Sequence, residues 1–73
     1  MTSVYVRLVI AGPRKISSVP TKHIVDVAAA VIIKGAEDGE AYITIDDVPE
    51  KYREDTIAAL EAEGYDSDGN YLE

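Results

Sequence analysis

Few side chains in this sequence could do chemistry, and their surroundings say what each would do. The single histidine, His23, follows the paired hydroxyls Ser17 and Ser18. Imidazole works as a general base only with a nucleophile and an orienting carboxylate held beside it. Here both serines stand just before Pro20, where a hydroxyl caps the start of a helix, so His23 reads as a structural or surface histidine. Asp66, Asp68 and Asn70 alternate as calcium ligands do. Glycine falls fourth in that run instead of sixth, however, and no bidentate acid follows. The stretch reads as a polar turn, in which Asp, Asn and Gly are at home. The carboxylates of Glu37 to Glu40, Asp46, Asp47, Glu50, Glu54 and Asp55 could bind a cation or imitate nucleic-acid phosphates; such runs are most often the solvated face of an acidic protein. Arg7, Arg14 and Lys15 make a small basic spot without the interleaved aromatics of a single-strand platform. A Gly-rich phosphate loop and a G-x-S-x-G elbow are both missing. The expectation is a non-enzymatic chain with no catalytic residue, cofactor or bound metal.

Composition narrows the partners. Seventy-three residues make a single domain, residues 1–73, and a chain of this size is marginal as a monomer. It has no cysteine, which excludes disulfides, thiolate zinc sites and cysteine nucleophiles. A formal charge of -7 argues against binding nucleic acid by neutralising phosphates. The longest apolar run, Val27 to Ile33, is too short to span a bilayer. No basic-then-apolar leader opens the sequence, so a cytoplasmic location is expected.

The elements that must position these groups follow from an internal repeat. Residues 16–35, ISSVPTKHIVDVAAAVIIKG, align without a gap on residues 45–64, IDDVPEKYREDTIAALEAEG, at a period of 29. Eight of the twenty positions are identical: Ile16/Ile45, Val19/Val48, Pro20/Pro49, Lys22/Lys51, Asp26/Asp55, Ala29/Ala58, Ala30/Ala59 and Gly35/Gly64. Ser18 and Asp47 stand where a side-chain oxygen caps a helix, proline suits the first turn, and Gly35 and Gly64 fall where a left-handed end cap is wanted. Two helices are predicted, about residues 20–34 and 49–63. Upstream of each lies a β-rich segment: Val4 to Ile10, closed by Ala11-Gly12-Pro13, and Ala41 to Ile45, preceded by the turn pair Asp38-Gly39. Tyr5, Leu8, Val9 and Gly12 also fit one helical face, which leaves segment 4–10 open between strand and helix. The resulting fold class is α+β, a small β-α-β-α domain of two degenerate units, about residues 4–35 and 36–64, with a tail at 65–73.

The two helices differ. The second is amphipathic, with Tyr52, Thr56, Ile57, Ala59 and Leu60 on one side and Glu50, Lys51, Glu54, Asp55 and Glu61 on the other. The first has Asp26 as its only charge between Lys22 and Lys34. A helix apolar on nearly all sides belongs inside something. Strands on one flank and the second helix on another leave part of it over. The expectation is self-association through Ile24, Val25, Val27, Ala28, Val31 and Ile32, with a two-fold dimer favoured. Charge is segregated as well: residues 1–35 carry a net +4 and residues 36–73 a net -11.

Tyr5-x-x-Leu8-Val9-x-x-Gly12, followed by an Ile-x-x-Val-Pro step and a helix, resembles small uncharacterised phage and prophage proteins encoded near tail and lysis genes. The second unit, Thr44-Ile45-Asp46-Asp47-Val48-Pro49-Glu50-Lys51-Tyr52-Arg53-Glu54, is similar to the "TIDDVP…R" stretch of that family. Gly64-Tyr65-Asp66-x-Asp68-Gly69-Asn70 is similar to the tail of its longer members. The resemblance implies a small accessory protein or oligomeric chaperone of tail or baseplate assembly. Its partner would be a larger virion protein, and its location the host bacterial cytoplasm or the virion. This chain departs from the pattern by carrying the Val-Pro unit twice. The residues also admit a different class, a small acidic inhibitor or nucleic-acid mimic that binds a host protein.

Overall fold

The computed structural model describes residues 2–12 and 14–72. Glu73 of the tail and Pro13 of the expected Ala11-Gly12-Pro13 punctuation lie outside the described residues. Among the described residues there are three α-helices: α1 (Thr2–Ala11), α2 (Thr21–Asp38) and α3 (Glu50–Ala62). Two single 3₁₀ turns, Ile16–Ser18 and Ile45–Asp47, precede α2 and α3. No strand occurs among the described residues, and one isolated antiparallel bridge joins Tyr65 to Tyr71. The α+β reading is therefore corrected to an all-helical fold.

The physical reason lies in how each apolar run is used. Segment 4–10 is α1, because its core-facing residues repeat at the helical period. Val9 is buried, while Tyr5, Val6 and Ile10 pack half-buried against the same cluster. A β-branched run has a weak preference that tertiary packing overrides. The expected partner strand, residues 41–45, does not form either. Tyr42 and Ile43 lie along the core edge and Ile45 opens the second 3₁₀ turn.

The repeat survives as structure. Val19 and Val48 have φ/ψ of -69/138° and -76/133°, and Pro20 and Pro49 have -52/140° and -51/137°. Each turn packs on the helix that follows it. Val19 and Val48, Val27 and Thr56, and Val31 and Leu60 are equivalent pairs, and all six are buried. The two units are thus two copies of one turn–helix element sharing a core.

The caps are placed differently from the expectation. Proline, not Ser18 or Asp47, occupies the N-cap position of α2 and of α3. Ser18 Oγ donates to the Lys15 carbonyl at 2.7 Å, and Asp47 Oδ2 accepts from the Thr44 N–H at 2.8 Å, so both side chains close the 3₁₀ turn instead. Gly64 does end α3. With φ +89° it lets the Tyr65 N–H reach the Leu60 carbonyl at 2.9 Å and its own N–H reach the Glu61 carbonyl at 3.0 Å. Gly35 does not end α2. The helix runs on to Gly39, where the same pair of bonds forms: Glu40 N–H to Gly35 and Gly39 N–H to Ala36. Gly35 is buried because the returning chain crosses it. A Cβ there would stand 2.5 Å from the Glu40 carbonyl oxygen.

α2 is the central helix and packs against both α1 and α3. Its buried stripe, Ile24, Val27, Ala28, Val31, Ile32 and Gly35, follows the i, i+3, i+4, i+7 spacing. Of the six residues expected to be left over for a second copy, five are buried within the single chain and Val25 is half-buried. The flank assigned to a partner is filled by α1, which the β reading had removed from the helix layer.

Candidate functional site

The groups first considered for chemistry are mostly engaged in structure. His23 lies half-buried in the first turn of α2, its ring 5.8 Å from that of Tyr5. The Arg14 guanidinium sits over the same Tyr5 ring, 4.9 Å from its centroid, and its Nη2 donates to the Ser18 carbonyl at 3.3 Å. Arg14, Tyr5 and His23 form a layer that ties α1 to the first turn of the repeat. Asp66 turns its carboxylate inward. Its Oδ1 accepts the N–H groups of Asp68 at 2.9 Å and Asn70 at 3.0 Å, the geometry of an Asx turn. Among the described residues no group of three or more His, Cys, Asp or Glu side chains is placed to hold a metal ion.

Arg53 explains the TIDDVP…R spacing. From the first turn of α3 it donates through Nε to the Val48 carbonyl at 3.0 Å and through Nη2 to the Asp46 carbonyl at 2.9 Å. One planar fork thereby satisfies two carbonyls of the 3₁₀ turn. The first unit has Ile24 at this position and uses Arg14 from the other side. The repeat does not single out Arg53, because the equivalent position of the first unit is Ile24.

At the far end of α2, the Tyr42 hydroxyl donates to Asp38 Oδ2 at 2.8 Å. That bond is the main cause holding the Asp38 carboxyl below the usual carboxylate range, with Lys34 Nζ, 3.4 Å from Oδ1, adding to it. The same bond pushes the Tyr42 phenol above its ordinary value. These groups tie the chain's return after Gly39 to the last turn of α2.

Three surfaces on the helices bear on a partner. A groove of about 650 Å³ runs between α1 and α3, with Val6, Ile10, Ala29, Ala30, Ile33 and Ala59 along it. Its rim carries both signs of charge: Arg7 and Lys34 with Asp26, Glu37 and Glu63. On the outer side of α1, Val4, Leu8 and Ala11 line a shallow depression beside Arg7. On the outer side of α3, Glu50, Glu54, Asp55 and Glu61 are exposed. An apolar floor with a mixed-charge rim suits an amphipathic segment of another protein.

No protein family, curated protein or solved structure matches the chain. No helix among the described residues is long and apolar enough to cross a membrane.

Proposed function

We propose that the chain is a non-enzymatic accessory protein of phage or prophage origin that works through protein–protein contacts in tail or baseplate assembly, in the host bacterial cytoplasm or on the virion. The observation that carries the contact reading is the groove between α1 and α3, apolar along its floor and rimmed by Arg7, Lys34, Asp26, Glu37 and Glu63. The TIDDVP…R resemblance supports the phage setting. The partner is an apolar-faced segment of a larger virion protein. The test is co-expression with tail and baseplate proteins of a phage that encodes the chain, followed by gel filtration. Co-elution with one of them, lost in Ala30→Glu, supports the reading. Failure to co-elute with any of them, or equal co-elution of the variant, refutes it.

A second reading is favoured by one observation. Glu50, Glu54, Asp55 and Glu61 stand exposed along α3, with Lys51 as the one exposed basic residue among them, over about 16 Å of helix at about 1.5 Å per residue. Such a ridge supports an acidic inhibitor that occupies a host protein's nucleic-acid site. Competition separates the readings: a mimic is displaced from its partner by duplex DNA, whereas a groove contact is not.

A further inference from the structure

Large apolar side chains stand exposed at two places among the described residues: Val4, 45% exposed, on α1, and Tyr71 and Leu72, 77% and 50% exposed, in the tail. The two places differ in charge. On α1, Val4, Leu8 and Ala11 follow one another at i, i+4 and i+7, so they form one stripe along the helix, with Arg7 beside it. The sequence holds no acidic residue before Asp26. The tail is the reverse. Residues 61–72 contain Glu61, Glu63, Asp66 and Asp68 and no basic residue.

The tail is also held in place. Tyr71 stacks on Tyr65 with centroids 5.0 Å apart, the Leu72 N–H donates to the Gly64 carbonyl at 2.8 Å, and the Asp66 N–H donates to the Asn70 carbonyl at 2.8 Å. Gly69 is buried so closely on α2 that a Cβ would stand 2.7 Å from the Ile32 carbonyl oxygen. An apolar pair already ordered this way loses little further freedom on binding.

We propose that the occupant of the α1 stripe is a second copy of this chain, whose Tyr71 and Leu72 seat on Val4, Leu8 and Ala11 while Arg7 meets the acidic groups around the tail. The contact joins unlike surfaces, basic to acidic, so it is favoured by charge as well as by burial. It rests on the reading of the chain as a protein that works by contacts, and its apolar stripe is separate from the groove's floor, the two sharing Arg7 at their common edge.

The experiment is sedimentation of the full chain over a concentration series, with far-UV circular dichroism as the check on folding. The wild type associates, and Val4→Asp and Leu72→Asp each raise the dissociation constant at least tenfold, because a carboxylate set into the stripe must lose its water or hold the contact open. The decisive arm is an equimolar mixture of the two variants. The Val4→Asp copy keeps its tail and the Leu72→Asp copy keeps its stripe, so the mixture associates at least tenfold more tightly than either variant alone. Should Val4→Asp lose helix, Val4→Ser takes its place. A monomeric wild type overturns the proposal. So does a Leu72→Asp variant that associates as the wild type does, which is the result a stripe-to-stripe contact gives. So does a mixture no tighter than its components. The Ala30→Glu co-elution test of the groove is read separately from all of these.

Discussion

Alanine and asparagine at positions 35 and 64 separate two uses of a glycine that the repeat writes identically. A Cβ at Gly35 would stand 2.5 Å from the Glu40 carbonyl oxygen and 3.4 Å from the Tyr42 nitrogen. Both are backbone atoms, and Glu40 is itself bonded to the Gly35 carbonyl at 2.9 Å, so the segment cannot withdraw without breaking the end of α2. Overpacking of this kind costs about 1–3 kcal/mol, and backbone at such a distance belongs in the upper half of that range. Alanine's better helix propensity returns about 1 kcal/mol. Gly35→Ala is therefore expected to lose about 1–2 kcal/mol, or several degrees in Tm at about 4–8 °C per kcal/mol for a domain of this size. At Gly64 a Cβ meets nothing within 4 Å, and the constraint is φ +89°. Asparagine tolerates that region far better than alanine. Gly64→Asn should stay within about 0.5 kcal/mol of wild type, close to the effect of an ordinary surface substitution, while Gly35→Asn falls at least as far as Gly35→Ala. Urea unfolding followed by circular dichroism measures all four. A Gly35→Ala chain as stable as wild type or more so, the behaviour of an open helical glycine, would refute the close-approach reading.

The remaining expectations concern single groups. Arg53→Ala should lose about 2 kcal/mol in urea unfolding, since two carbonyls lose a charged donor; Arg53→Lys should recover less than half, because a point charge cannot fork to both. Thr56→Val should change stability by less than about 1 kcal/mol, with a gain the more expected sign. Its hydroxyl donates at 2.8 Å to the Tyr52 carbonyl, which the helix ladder also uses, and valine occupies the equivalent core position, Val27. The Asp38 carboxyl, held low by Tyr42, supports the fold above its ordinary pKa and ceases to as pH falls through its lowered folded value. The Tyr42 phenol, raised by the same bond, supports it below its ordinary pKa and ceases to as pH rises through its raised folded value. NMR titration of Tyr42→Phe should show the Asp38 midpoint moving up toward the usual carboxylate range; an unmoved midpoint would show that Lys34 alone sets it.

How much of this was legible depended on what the residues repeated. The turn–helix units stood out because Ile, Val, Pro and Gly recurred at fixed offsets, and those offsets fixed the backbone of Val19-Pro20 and Val48-Pro49. The helix ends were less legible. Two glycines four residues apart, Gly35 and Gly39, compete for the end of α2, and the winner is decided by where Glu40 and Tyr42 return across the helix, a tertiary fact. The role of α1 was legible only as an ambiguity. Val4 to Ile10 is a short apolar run, and such a run reads as strand or helix until its partner is known. The role of Arg53 is not legible in the sequence, because its partners, the Val48 and Asp46 carbonyls, are backbone atoms that no side-chain pattern marks.

Assigning α1 to the helix layer also moves the area argument for self-association. A chain this small is expected to leave part of an all-round apolar helix uncovered. α2 is covered: α1 packs on one flank and α3 on the other, and a helix sandwiched this way has to be apolar around most of its circumference. The less covered apolar face lies on α1 itself. Thr2–Ala11 carries one charge, Arg7, yet it packs on α2 with a single flank, through Tyr5, Val6, Val9 and Ile10. On the opposite side Val4 and Ala11 are exposed and Leu8 is half-buried, and charge was not placed there to compensate, as it was along the outer side of α3. A fully exposed valine brought out of water contributes about 1.5–3 kcal/mol; the half-buried Leu8 and the Ala11 methyl have less to give. The apolar surplus that composition places on α2 lies instead on α1, at Val4, Leu8 and Ala11.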